Sequence, residues 1–251
     1  MIRGLYTAAT GMIVQERKME NVSQNLANVE TGAFKRQEVL ARSYDNVNIS
    51  NKANSPDNRR APIGQLQLGV MIDDVHTDFD QGQLNQTNKP LDLAIDGDGF
   101  FTILLPNGQH AYSRDGSFTV NREGLVTTKK GYPVLDTQMR GIYVDTEDIA
   151  IDERGLIRLA DGSTAQLNIV DFPEIQTLDK LGENMYTVGV GQLVQADEFI
   201  LRQGFLEQSN INPLDELVKM IEISRSFESN QRVIQSLDET LGKAVNEVGR
   251  L

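Results

Sequence analysis

Apolar positions recur with a helical period at both ends of the chain and with a two-residue period between them. From Pro213 onward, Leu217, Met220, Phe227, Ile234, Leu237, Leu241, Ala244 and Val248 are spaced mostly by three, four or seven, the seam of a coiled coil. Asn212 reads as the N-cap and Pro213 as the first helical residue, where its missing N–H costs nothing. Asp215 and Glu216 follow at the positive end of the helix dipole. Only Gly242 breaks this pattern, and about forty residues at ~1.5 Å each predict a helix ~60 Å long. That is too long to lie within a compact domain of this chain's size. At the other end Ile2, Leu5, Ala9, Met12, Glu16, Met19, Ser23 and Leu26 keep a three–four alternation in which six of eight positions are apolar. Gly4 and Gly11 weaken this second helix by about 1 kcal/mol each relative to Ala. It is predicted to end near Asn28, in an amide-rich run whose side chains compete for backbone hydrogen bonds. Two amphipathic terminal helices predict a two-helix stalk. The alternative, helices folding back on one globular core, is weakened by the C-terminal helix's length and its Gln/Asn/Ser-rich flanks.

Residues 43–65 are rich in Asn with Pro56, Pro62 and Gly64, and read as a linker or extended loop. From Gln67 the pattern changes to alternation: Leu68, Val70, Ile72 and Val75, then Leu91, Leu93 and Ile95. Asp96-Gly97-Asp98-Gly99 reads as a hairpin turn before a strand from Phe100 to Leu104. Short strands follow at 110–114, 117–120, 125–128, 133–135, 142–144, 149–151, 156–159, 166–170 and 186–188, divided by Gly-containing turns, which argues for an all-β domain of hairpins.

Three phrases in order carry a resemblance. Ser23-Gln24-Asn25-Leu26-Ala27-Asn28, then Thr31-Gly32 and Phe34-Lys35-Arg36, resembles the N-terminal signature of the bacterial flagellar rod and hook proteins. Ala33 stands where that family often has Gly or an extra turn residue. Pro90 to Phe101, Tyr112 to Phe118 and Gly131 to Leu135 resemble the family's middle domain, and Gly204-Phe205-Leu206-Glu207-Gln208-Ser209-Asn210-Ile211 resembles the phrase leading into its C-terminal helix. The likeness covers nearly the whole chain.

Composition and charge narrow the picture. A net charge of −12 excludes a nucleic-acid backbone as partner. No run of eighteen apolar residues predicts a membrane span, and Met1 to Tyr6 lacks the apolar region of a cleaved secretory signal. With no cysteine there is neither a disulfide, a thiolate metal site nor a thiol nucleophile. His76 and His110 are the only histidines and make a poor zinc set. Asp92, Asp96 and Asp98 lack the ligand alternation and terminal Glu of a calcium loop. Gly97 and Gly99 precede a strand and so do not form a phosphate loop, and no Gly-x-Ser-x-Gly occurs. No catalytic, cofactor or metal site is expected.

The expected fold is α+β: an all-β middle domain of short hairpin strands inserted between N- and C-terminal helices that pair as a coiled-coil-like stalk. The expected divisions are 1–35, the N-terminal stalk helix; 36–67, the linker; 68–203, the β domain; and 204–251, the C-terminal stalk helix. By resemblance, stalks of many copies pack into a helical tube around a channel, with the β domain outside. The apolar positions of the two helices are then the assembly seam, and the Asn25-Leu26-Ala27-Asn28 phrase marks the family. The resemblance further implies other rod and hook proteins and the flagellar export apparatus as partners. It places the protein in the basal body outside the cytoplasmic membrane, exported without a cleaved signal. The chain's length fits a distal or adjacent proximal rod protein better than a hook protein. The competing classes are an oligomeric surface-binding β protein, which has no reason to carry the Asn-Leu-Ala-Asn phrase, and a wall-acting hydrolase, which needs a carboxylate site that the sequence does not display.

Overall fold

The computed structural model describes residues 2–44, 46–51, 61–144, 149–158, 164–182, 184–188, 193–196 and 198–248. The chain divides into two compact units. Unit 1 gathers Met1–Leu26, Gln37–His76 and Asn212–Leu251, and unit 2 gathers Ala27–Arg36 and Thr77–Ile211.

Unit 1 is built on two helices, α1 (Ile2–Ala27) and α2 (Pro213–Lys243). α2 begins as its sequence requires: Asn212 is extended, and its side chain accepts a hydrogen bond from the Leu214 N–H. The α-helical hydrogen bonding gives way to a π turn over Ala244–Val248, so the regular helix is 31 residues, or ~46 Å, shorter than expected. Between the helices in sequence lie β1 (Gln37–Ser43), β2 (Val47–Asn51), β3 (Ala61–Leu66) and β4 (Val70–Thr77). β1 pairs with β4, and β2 with β3 across a register shift between Ile49 and Ser50.

This corrects the reading of 36–67 as linker. Asn48, Asn51, Pro62 and Gly64 lie in two paired strands, and the segment 37–67 groups with the helices. Its stretch 52–60 lies outside the described residues. The segments 27–35 and 204–211, read as parts of the terminal helices' domains, group with the β unit instead.

Unit 2 contains β5 (Leu84–Gln86), β6 (Leu93–Gly97), β7 (Phe100–Leu104), β8 (His110–Ser113), β9 (Phe118–Val120) and β10 (Val126–Thr128). It continues with β11 (Leu156–Arg158), β12 (Thr164–Gln166), β13 (Ile169–Asp171), β14 (Leu178–Gly182) and β15 (Met185–Val188). The last three are β16 (Val194–Gln195), β17 (Phe199–Gln203) and β18 (Phe205–Glu207). Six strands form an antiparallel sheet in the order β14-β15-β8-β7-β13-β16. Phe101, Ile95, Phe118, Ile142, Ile157 and Ile169 belong to one buried core, and Phe100, Tyr112, Val170, Phe172 and Tyr186 to a second, aromatic one.

The Asp-Gly-Asp-Gly turn does not close a hairpin. β6 pairs with β17, and β7 with β8 and β13. Gly97 and Gly99, at φ 112° and 132°, bend the chain out of one sheet and into another. Of the shorter expected strands, 133–135, 142–144 and 149–151 make only isolated bridges.

Candidate assembly site

In unit 1 the helices run antiparallel in heptad register. A Cβ on Gly4 would lie 3.5 Å from Leu237 Cδ1, and one on Gly11 3.1 Å from Asn230 Nδ2. Seven residues along α1 thus match seven in the reverse sense along α2. Two heptads further, Asn25 meets Glu216. The α2 face so defined is a four–three ladder: Glu216, Met220, Ile223, Phe227, Asn230, Ile234, Leu237 and Leu241, all buried or half-buried. Gly4 and Gly11, read as weaknesses of α1, allow its backbone to come close to α2.

Met220, Phe227, Ile234, Leu237 and Leu241 of the expected seam therefore lie on the ladder facing α1. Leu217 is off it and exposed. On α1 the expected stripe of Leu5, Ala9, Met12, Met19 and Leu26 is only half-buried. The most buried positions are Ala8, Val14, Val22 and Asn25. The side chains of Ile2 and Val248 lie outside the described residues.

The family phrase has a physical role through Asn25. Its amide donates to the Gln37 carbonyl at 2.8 Å and to Glu216 Oε2 at 3.2 Å, and accepts from the Gln37 N–H at 3.1 Å. One buried side chain thereby completes the backbone pairing at the start of β1 and joins α1 to α2. Glu216 is also paired with Lys219 at 3.0 Å. Leu26 is half-buried and Ala27 exposed, and Asn28 Oδ1 accepts from the Thr31 hydroxyl at 3.2 Å.

Unit 2 has its own polar junction, where the other signature phrases meet. Lys35 Nζ, fully buried, donates to Glu207 Oε1 at 2.6 Å and to the Asp80 carbonyl at 2.8 Å. Glu207 Oε1 also accepts from the Gly82 N–H at 3.0 Å, and the Glu207 carbonyl from the Ala33 N–H at 2.8 Å. Asn210 accepts from the Arg36 N–H and donates to the Asp78 and Asp80 carbonyls. Ala33 sits at φ 53°, a left-handed conformation that suits Gly better. Gly82 admits no side chain: a Cβ would collide with the Gln208 carbonyl. Arg114 lies 3.7 Å from Glu207 and packs on the Phe100 ring at 5.2 Å. Burial pulls the Lys35 ammonium below its usual pKa, with Glu207 acting against that. Burial pushes the Tyr186 phenol far up, with Glu207 adding to it.

Among the described residues no group of three His, Cys, Asp or Glu side chains could hold a metal ion. Asp92 is buried, Asp96 pairs with Arg202, and Asp98 points to solvent, so the three do not converge. No helix among the described residues is long and apolar enough to cross a membrane. The buried polar side chains instead fasten distant segments of the chain to one another. Within unit 1 they join α1 to α2, and within unit 2 they join the segment after α1 to the segment before α2.

Comparison with known proteins gives the family. Residues 202–247 match the family described as flagellar basal body rod FlgEFG protein C-terminal, and 94–159 the flagellar hook protein FlgE/F/G D1 domain. FlgG of Borreliella burgdorferi is 35% identical over 98% of this chain and 98% of its own length. FlgG of Caulobacter vibrioides is 33% identical, covering 96% and 97%, and FlgF of the same organism 30%, covering 100% of each. The chain belongs to the flagellar basal-body rod protein family. It is a structural subunit of the bacterial flagellar rod, located in the basal body.

Proposed function

We propose that this chain assembles with copies of itself into a helical tube, in line with other rod and hook proteins, and that the tube carries torque without any catalytic step. The observation that carries this is the outer face of the helix pair. Leu214, Val218 and Ile221 on α2 are each more than half exposed and lie opposite the ladder that faces α1, and Tyr6 and Ile13, one heptad apart, do the same on α1. The inner faces are satisfied within the chain, so apolar outer faces have a use only against another molecule. A heterologous contact whose rotation does not close yields an open helical assembly. The seam between copies is thus the outer stripes, while most of the α2 ladder holds the chain to itself. The FlgG matches run from 31% to 35% identity, against 30% for one FlgF, a narrow margin on the side of the distal type of rod subunit. Delivery through the flagellar export apparatus, without a cleaved signal, belongs to the same reading.

Deleting residues 1–26 tests it. Unit 2 keeps Lys35 and all its strands, so its β-sheet melting transition should persist while the protein disappears from purified basal bodies. Incorporation of the truncated chain would overturn the proposal.

A further inference from the structure

Unit 1 carries a cleft of about 290 Å³ between α1, β1 and α2. Its floor is apolar, with Val22 and Val39 buried and Ile223 half-buried, and its rim is charged, with Lys18, Glu38 and Glu222. Glu38, Glu222 and Lys18 have no ion-pair partner among the described residues, while Glu216 pairs with Lys219, so the lining carries one carboxylate in excess of its cations over an apolar floor. An occupant that matches it is a large apolar or aromatic side chain beside a cation.

The chain itself presents that combination. Tyr6 is the most exposed large aromatic side chain among the described residues, at 65%. Arg3 stands one turn before it on α1, also exposed and without an ion-pair partner among the described residues. Lys18 lies twelve residues further along the same straight helix, ~18 Å away, so Tyr6 cannot reach its own cleft. We propose that the cleft between α1, β1 and α2 receives Tyr6 of a second copy of this chain, with that copy's Arg3 set against Glu38 and Glu222. This rests on the self-assembly reading and specifies one of its contacts. The two surfaces are different and sit at different levels of the helix pair, so the contact is heterologous and repeats head to tail.

The absence of cysteine makes the test clean. Tyr6→Cys and Lys18→Cys variants are concentrated alone and as a mixture, oxidised mildly, and run on non-reducing gels, with sedimentation of each sample measured in parallel. A disulfide needs its Cβ atoms about 3.5–4.5 Å apart, so it reports direct apposition. The mixture should give a covalent dimer that neither variant gives alone, and a chain carrying both substitutions should give a ladder of higher oligomers. Adding Arg3→Glu to the Tyr6→Cys chain should abolish the mixed dimer, because it sets like charges together. Polymer in the pellet without the mixed dimer overturns the cleft assignment and leaves self-assembly standing. A dimer of Tyr6→Cys with itself, in preference to the mixture, overturns it in favour of a symmetric contact. The absence of any polymer or dimer overturns both.

Discussion

Asn25 and Glu216, 191 residues apart in the chain, share a buried hydrogen bond of 3.2 Å that joins α1 to α2. Asn25 also satisfies both backbone groups of Gln37. Asn25→Asp removes the amide donor and sets a second carboxylate against Glu216. Leaving buried partners unmet costs roughly 1–3 kcal/mol for each group, so the helix pair should lose at least about 2 kcal/mol. Hydrogen exchange should show α1 and α2 amides losing protection together, with the strands of unit 2 unchanged. Unaltered helix protection would remove Asn25 from its role as the junction of unit 1.

The Lys35–Glu207 pair should show the asymmetry of a buried ion pair. Lys35→Met leaves the Glu207 carboxylate with only the more distant Arg114, 3.7 Å away, and should destabilise unit 2 by about 3 kcal/mol. Adding Glu207→Leu should recover only part of that loss, because it removes the stranded carboxylate but leaves the buried Arg114 with the exposed Asp98 as its remaining carboxylate. Urea melts of the parent, single and double variants read the difference directly. A double variant no more stable than the single would show that the Glu207 contacts to Gly82 matter more than its charge.

These junctions explain what was and was not legible in the sequence. The start of α2 was legible, because Asn212, Pro213, Asp215 and Glu216 act locally. So was the α+β class, because periodicity is a local signal. The inner face of α1 was not, since Gly4, Ala8, Gly11 and Asn25 carry little apolar signal and meet their partners across the whole length of the chain. Lys35 and Glu207 read as surface charges until the fold brings them together. The sheet order was hidden for the same reason: β7 finds its second partner, β13, through contacts far apart in sequence.

Alkaline pH should expose Tyr186. Its folded pKa lies above the ordinary phenol value of 10.0, chiefly from burial. Its contribution is therefore whole below pH 10 and is lost as pH rises beyond it. Lys35 has the opposite sign: its folded pKa lies below 10.5, and it favours folding with rising pH only up to that value. Above pH 10.5 the loss from the buried tyrosines, Tyr186 and the less buried Tyr112, remains. The Tyr186 hydroxyl has no hydrogen-bond partner among the described residues, so Tyr186→Phe should cost little at neutral pH and flatten the alkaline loss. Equal slopes for parent and variant would contradict this.

The two interface glycines should differ in sign. A Cβ at Gly4 meets Leu237 at ordinary contact distance, so Gly4→Ala should stabilise α1 by up to about 1 kcal/mol. At Gly11 the space is already tight against Asn230, and Gly11→Leu should force the helices apart. Thermal melts followed by helical circular dichroism should move up for the first and down for the second.

The central claim, that the outer face of the helix pair joins copies while its inner face joins the chain to itself, is tested most directly by electron microscopy of concentrated full-length protein carrying Val218→Asp. Val218 is exposed, so both units should melt as in the parent. The parent should form tubes or filaments and the variant should remain dispersed. Filaments of Val218→Asp indistinguishable from those of the parent would contradict the account.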